Sequence, residues 1–306
     1  MMRCHCSQAV GSAKGPRLSR SVAAIVVGMT IGWAGGAGMA HAQVRNGPPG
    51  AGASRPVASA APSSVPKGPP PESKPAPNAR AAAPFDPTGH WVSLVTRDWQ
   101  FRMVVPGRGE YQGIPLNLAG KQHADAWDPK SDEKLGRQCA PYGAGVVMLV
   151  PERLRIEWSD DDTLRVETDA GTQTRLLRFR PGADAATAPA SWQGQSRASW
   201  LMHAASDSGF GPPADEGNFG SLKIATTNML AGLIRKNGIA YSEQSDLTEY
   251  WDVQQDPVTK KEYLIVTASL HDPVLLRANF NYVATFERES DGSKWDPTPC
   301  SLTSAP

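Results

Sequence analysis

The sequence predicts an all-β domain with minor α content, an antiparallel barrel or sandwich of about ten strands with one short helix. Three observations carry that expectation. From Phe85 onward the apolar residues recur with a period near two. The runs that hold them are rich in β-branched and aromatic residues, and turn residues punctuate them at intervals of 8–20 positions. Many short strands at such spacing build barrels or sandwiches rather than helix-covered sheets.

In chain order, His90–Thr96 and Trp99–Val104 open the series of strands, and Val146–Val150, Arg153–Trp158, Thr163–Thr168 and Thr172–Phe179 continue it. Ser196–Met202, Ser221–Thr227, Asp246–Val253, Glu262–Ser269 and Ala278–Phe286 complete it. Asp160-Asp161-Asp162 and Asp169-Ala170-Gly171 read as turns, the second with Gly in the left-handed position. The helix runs over Leu118–Trp127, with Asn117 as its cap and Asp128-Pro129 as its stop. Leu116, Ala119, His123 and Trp127 are spaced to share one face of it. A second helical turn is expected around Ser131–Leu135.

The chain before Phe85 is not domain material. Residues 1–42 have the form of a secretory signal peptide: Arg3, Lys14, Arg17 and Arg20, an apolar run from Val22 to Trp33, then Ala40-His41-Ala42 as the cleavage site. Residues 43–83 hold ten Pro and ten Ala in 41 positions, a composition that cannot bury a core and predicts a linker. The remaining residues 84–306 form one β-rich domain with 22 basic and 29 acidic residues, a charge of −7. That balance excludes the basic stripe of a nucleic-acid binder. Cleavage after Ala42 would leave no membrane span and a periplasmic or secreted protein. Cys4 and Cys6 leave with the signal, so Cys139 and Cys300 are expected to form a disulfide, worth about 5 kcal/mol by loop entropy.

Gly89-His90-Trp91 resembles the Gly-x-Trp opening of the lipocalins. That resemblance implies a lipocalin-like barrel in which Trp91 closes one end and a late arginine, Arg288, packs over it. The run Trp91-Val92-Ser93, Asp98-Trp99, Pro115-Leu116, Asp125-Ala126-Trp127-Asp128-Pro129, Gly171-Thr172-Gln173-Thr174-Arg175 and Trp295-Asp296-Pro297-Thr298-Pro299-Cys300 is similar to a set of exported bacterial β-rich proteins. This second resemblance implies export and fold, and no chemistry.

Catalytic patterns are sparse. Ser131-Asp132-Glu133-Lys134 has Ser-x-x-Lys spacing and Lys236-Asn237-Gly238 a faint partner element, but the first is crowded with charge and reads as a solvated face. Gly194-Gln195-Ser196-Arg197-Ala198 lacks the strand-turn-helix context of a nucleophile elbow. His90, His123, His203 and His271 show no metal-ligand spacing, and no cofactor or metal is expected. The carboxylate pairs Asp125/Asp128 and Glu287/Glu289 read as solvated faces. His123 on the apolar stripe, and His203, are the candidates for a cavity acid or base.

Eight tryptophans in the domain exceed the needs of one core of this size. Trp99, Arg102, Arg175, Trp200 and Tyr250 are the candidate ligand-binding residues, lining a cavity for a small hydrophobic or aromatic ligand that bears a carboxylate. An enzyme on the same barrel, or an envelope interaction module without a ligand, are the alternatives.

Overall fold

The computed structural model describes residues 77–182, 187–203 and 219–303. The expected signal peptide and most of the expected linker lie outside the described residues. Among them are eleven strands: β1 (Gly89–Leu94), β2 (Arg153–Asp160), β3 (Thr163–Thr168), β4 (Thr174–Arg178), β5 (Gln195–His203), β6 (Phe219–Thr227), β7 (Gly232–Arg235), β8 (Ile239–Tyr241), β9 (Asp246–Gln255), β10 (Glu262–His271) and β11 (Phe280–Glu289). Nine of these close a barrel in the order β1-β11-β10-β9-β6-β5-β4-β3-β2, and β7 and β8 pair apart from it as a hairpin. Every barrel pairing is antiparallel except β4–β5, which is parallel and rests on only Leu177↔Ser196 and Arg178↔Arg197. The choice between barrel and sandwich is thus settled for the barrel.

Alternation along each strand decides what fills it. Leu154, Ile156, Leu164, Leu177, Leu222, Ile224, Trp251 and Phe286 point inward and are fully buried in one continuous cluster. The middle of the barrel is therefore packed solid rather than hollow, which moves any ligand site away from the lumen.

At one end, Trp91 closes the barrel. Its indole N–H donates to the Pro87 carbonyl at 3.0 Å, and the Arg288 guanidinium lies over its ring at 4.1 Å. Arg288 also donates to the carbonyls of Asp86 and Thr88, which ties down the chain entering β1. It lies inside β11 rather than after it. A row of aromatic rings, Phe85, Trp200, Phe179 and Trp158, continues this seal with centroids 5.1–5.8 Å apart. Residues of the expected linker join here: the Ala79 amide donates to Asp162, and Trp200 donates to the Ala79 carbonyl at 2.7 Å. The domain thus begins several residues before Pro84.

The opposite end is stopped by residues 140–148, all of them buried. Val146–Val150 reads as a strand in sequence but forms a 3-10 turn over Val147–Leu149. The cause is close approach: a Cβ on Gly143 would sit 2.2 Å from the Tyr241 hydroxyl, and one on Gly145 2.9 Å from its ring. Glycine lets this segment fold inward as a plug. Cys139 and Cys300 are disulfide-bonded, with Cα atoms 4.9 Å apart, and clamp the plug's start to the C-terminal segment.

Trp99–Val104 is the other displaced strand. Trp99–Arg102 forms the short helix α1, while Trp99, Met103 and Val104 stay exposed. Both edges of β1 are occupied, by β2 and β11, so closure leaves this β-prone run no partner. Helix α2 (Leu118–Ala126) forms as expected, with the Asn117 side chain accepting from the Gly120 amide. Its buried face is Gly120 and Ala124, however, and Ala119 and His123 point to solvent. Helix α3 (Pro129–Lys134) follows and buries nothing, in keeping with the solvated reading of Ser131 to Lys134.

Replacing Arg288 with alanine removes the stack on Trp91 and two hydrogen bonds to the entering chain. The Arg288→Ala variant is expected to lose about 2–3 kcal/mol of stability, read from its urea midpoint, with the barrel's circular dichroism retained.

Candidate functional site

Beneath the plug the barrel interior changes from apolar to polar. Arg175 on β4 and Glu249 on β9 are both fully buried and form a two-pronged ion pair, at 2.6 Å from Nη2 to Oε2 and 3.2 Å from Nη1 to Oε1. Ser196 of β5 and Thr226 of β6 bond each other at 2.8 Å and place their hydroxyls 3.4 and 3.3 Å from Arg175 Nη2. One residue from each of four neighbouring strands thus meets at the seam where the backbone ladder is shortest. Burial alone would lower the Arg175 pKa, and the Glu249 charge more than offsets this, so the guanidinium stays protonated.

Glu152, immediately before β2, lies in the same region. It is 5% exposed, and neither carboxyl oxygen has a hydrogen-bond partner among the described residues, although Thr168 lies beside it. Burial, and then the neighbouring Asp169, push its pKa well above the ordinary carboxyl range, against the pull of Arg102 and Arg175. Arg175 Nε and the Tyr241 hydroxyl are also buried without a partner among the described residues. Burial raises the pKa of Tyr241 and of Tyr282, whose hydroxyl donates to the Gly145 carbonyl of the plug at 3.2 Å.

On the outer side of the plug is a pocket of about 200 Å³, between α1 and its following loop, the plug, the β7–β8 hairpin and the start of β11. Arg102, Arg235 and Lys236 bring three cations to it, against one carboxylate, Asp98. Phe101, Phe280 and Tyr282 supply aromatic walls, and Val146, Leu149 and Ile234 the aliphatic ones. Arg102 is held by Nε to the Leu149 carbonyl at 2.7 Å and by Nη2 to Ser93 Oγ at 2.9 Å, leaving Nη1 without a partner among the described residues. Arg235 stacks on Phe101 at 4.1 Å and donates from Nη1 to the Gln112 carbonyl. Partial burial lowers the pKa of both arginines, and both remain cations.

The residues expected to bind ligand do not share one cavity. Arg102 lines the pocket, and Arg175 is committed to Glu249 behind the plug. Trp99 is 59% exposed on α1, Trp200 belongs to the aromatic seal at the far end, and Tyr250 sits half-buried on the outward-facing phase of β9. His123 is exposed on α2 and does not line this pocket. His203 ends β5, and its side chain lies outside the described residues. The carboxylate pairs serve structure: Asp125 accepts from Tyr111, Asp128 caps α3, Glu287 pairs with Lys261, and Glu289 pairs with Arg153.

No family model, curated protein or solved structure matches this chain significantly, so the site is read from its own geometry.

Several residues of the site have a sequence signal that was available. Glu249 stands between Leu247 and Trp251 on the inward phase of β9, where a charge needs a partner. Asn237-Gly238 between Gly232–Arg235 and Ile239–Tyr241 marks the hairpin that carries Arg235 and Lys236. Glu152 has no such mark, since its neighbours Asp169, Arg102 and Arg175 come from other parts of the chain.

Arg175→Met alone strands the Glu249 carboxylate and is expected to cost about 3–5 kcal/mol. The double variant Arg175→Met with Glu249→Leu should recover most of that loss, as measured by denaturant unfolding. Glu152 makes a pH-dependent prediction. Its folded pKa is raised above the unfolded value of about 4.3, so the folded state holds the extra proton between the two. Stability therefore falls as pH rises from the unfolded value through the folded one, and stays lower above it. Glu152→Gln is expected to flatten that fall in a series of urea midpoints against pH.

Proposed function

We propose that this protein is an exported β-barrel that binds a small amphipathic carboxylate, with an aromatic or aliphatic body, in the pocket between the plug and the β7–β8 hairpin. The observation that carries this reading is the convergence of Arg102, Arg235 and Lys236 on a pocket walled by Phe101, Phe280 and Tyr282. Unsatisfied guanidinium donors favour a carboxylate, and the aromatic rings favour a flat apolar body. The volume of about 200 Å³ is below that of a drug-sized pocket, which restricts the ligand to about the size of a monocyclic aromatic acid. The leader pattern of residues 1–42 and the Cys139–Cys300 disulfide support export.

A second reading has its own observation. Glu152 is a buried carboxyl without a hydrogen-bond partner among the described residues, close enough to the pocket-lining Arg102 to interact with it, and such a group suits a general acid in an enzyme acting on the same ligand.

Isothermal titration of the protein with a panel of aromatic and medium-chain carboxylic acids tests the first reading. One saturable site is expected for at least one acid, weakened about tenfold by Arg235→Gln or Arg102→Gln, and lost when the acid is replaced by its methyl ester. An ester that binds as well as its acid would sink the carboxylate reading. Turnover of a bound acid that disappears in Glu152→Gln would favour the enzyme.

A further inference from the structure

A second groove lies on the outside of the barrel, at the β4–β5 seam. A groove of about 340 Å³ runs over this seam and is lined by Arg178, Arg180, Arg197, Gln195 and Thr227. Arg178 and Arg197 are direct cross-strand neighbours in one of only two residue pairs that join β4 to β5. In a parallel pair such neighbours project from the same face, and the burial of Leu177 and Ser196, one position earlier on each strand, sets that face outward. Two like charges directly opposite each other weaken a strand pair, and this is the junction with the fewest hydrogen bonds to spare.

Among the described residues the Arg178 and Arg197 side chains make no hydrogen bond and no ion pair, whereas Arg180 at the rim pairs with Asp162 at 3.0 Å. This concentration of positive charge stands on a domain whose overall charge is −7.

We propose that the groove binds a phosphomonoester group, with its dianion bridging Arg178 and Arg197. The chemistry selects the ligand class. A carboxylate has two oxygens and satisfies one guanidinium fork, while a phosphomonoester offers three terminal oxygens and two charges, enough for two forks at once. Gln195 and Thr227 can add hydrogen bonds, and Pro181, Ala188 and Ala225 give the organic remainder an apolar wall. The bound dianion also cancels the repulsion across the weakest strand pairing, so binding is coupled to barrel stability. The phosphate group can come from a soluble metabolite or from a lipid headgroup.

The test uses the full chain at constant ionic strength, with glycerol phosphate as the soluble probe and acetate and chloride as controls. Saturable binding of glycerol phosphate is expected, with a rise in the unfolding midpoint that acetate does not produce. Arg178→Gln or Arg197→Gln should weaken it at least tenfold, and the double variant should abolish it. The double variant without ligand should be as stable as the parent or more so, which separates loss of the site from loss of the fold. Arg235→Gln, in the other pocket, should leave phosphate binding unchanged. In a parallel arm, sedimentation with phosphatidylcholine vesicles carrying phosphatidic acid presents the same monoester on a membrane. Binding to these vesicles in preference to glycerol phosphate identifies a lipid source, and the reverse identifies a soluble one. Absence of binding in both arms, or binding that survives in the double variant, overturns the proposal.

Discussion

The buried ion pair between Arg175 and Glu249 is the constraint on which the closed barrel depends. Each charge sits in an interior that cannot hydrate it, so each requires the other. The pair also answers a topological weakness. The barrel closes through one parallel junction of two residue pairs, and Arg175, Ser196, Thr226 and Glu249 come from the four successive strands β4, β5, β6 and β9 that span it. Side-chain bonds across the interior thus hold the seam where backbone bonds are fewest.

That polar cluster divides the barrel into two unlike ends. The Trp91 end is sealed by aromatic rings and by Arg288, which donates to the backbone entering β1 and pairs with Glu262. The other end cannot be sealed by apolar side chains alone, because charged and hydroxyl groups lie beneath it. A separate segment, residues 140–148, covers them, and it needs Gly143 and Gly145 to pass close to Tyr241. The disulfide keeps that segment in place by tying Cys139, the residue before it, to the C-terminal strand-free stretch.

The position of the candidate pocket follows from this arrangement. With the barrel centre filled, this pocket lies where irregular segments meet: the loop around α1, the plug and the β7–β8 hairpin. The end of α1, the end of β7 and the turn after it carry the pocket's cations, Arg102, Arg235 and Lys236, and the barrel supplies the fixed wall from Phe280 and Tyr282. The groove at the β4–β5 seam is of a different kind. It lies on the strands themselves, and its two arginines are aligned by register rather than by loop conformation.

Nine of the eleven strands were legible in the sequence because a half-buried strand imposes its own two-residue period, whatever it pairs with. The helix cap at Asn117 and the turn at Gly171 were legible for a similar reason, since their signals are local to a few residues. Trp99–Val104 and Val146–Val150 carry the same β-prone composition and are not strands. What separates them from true strands is whether a sheet edge is free, and that is a property of the closed barrel alone. The His123 stripe failed in the same way, because a nine-residue helix with small residues on one side can bury either face, and packing of Gly120 against the Leu275 backbone chose the face. Pairings between residues far apart in the chain were decided only by the tertiary structure. Arg175 meets Glu249 across 74 positions, and Arg178 meets Arg197 across a parallel junction, because ring closure brings together strands whose charges no local period relates.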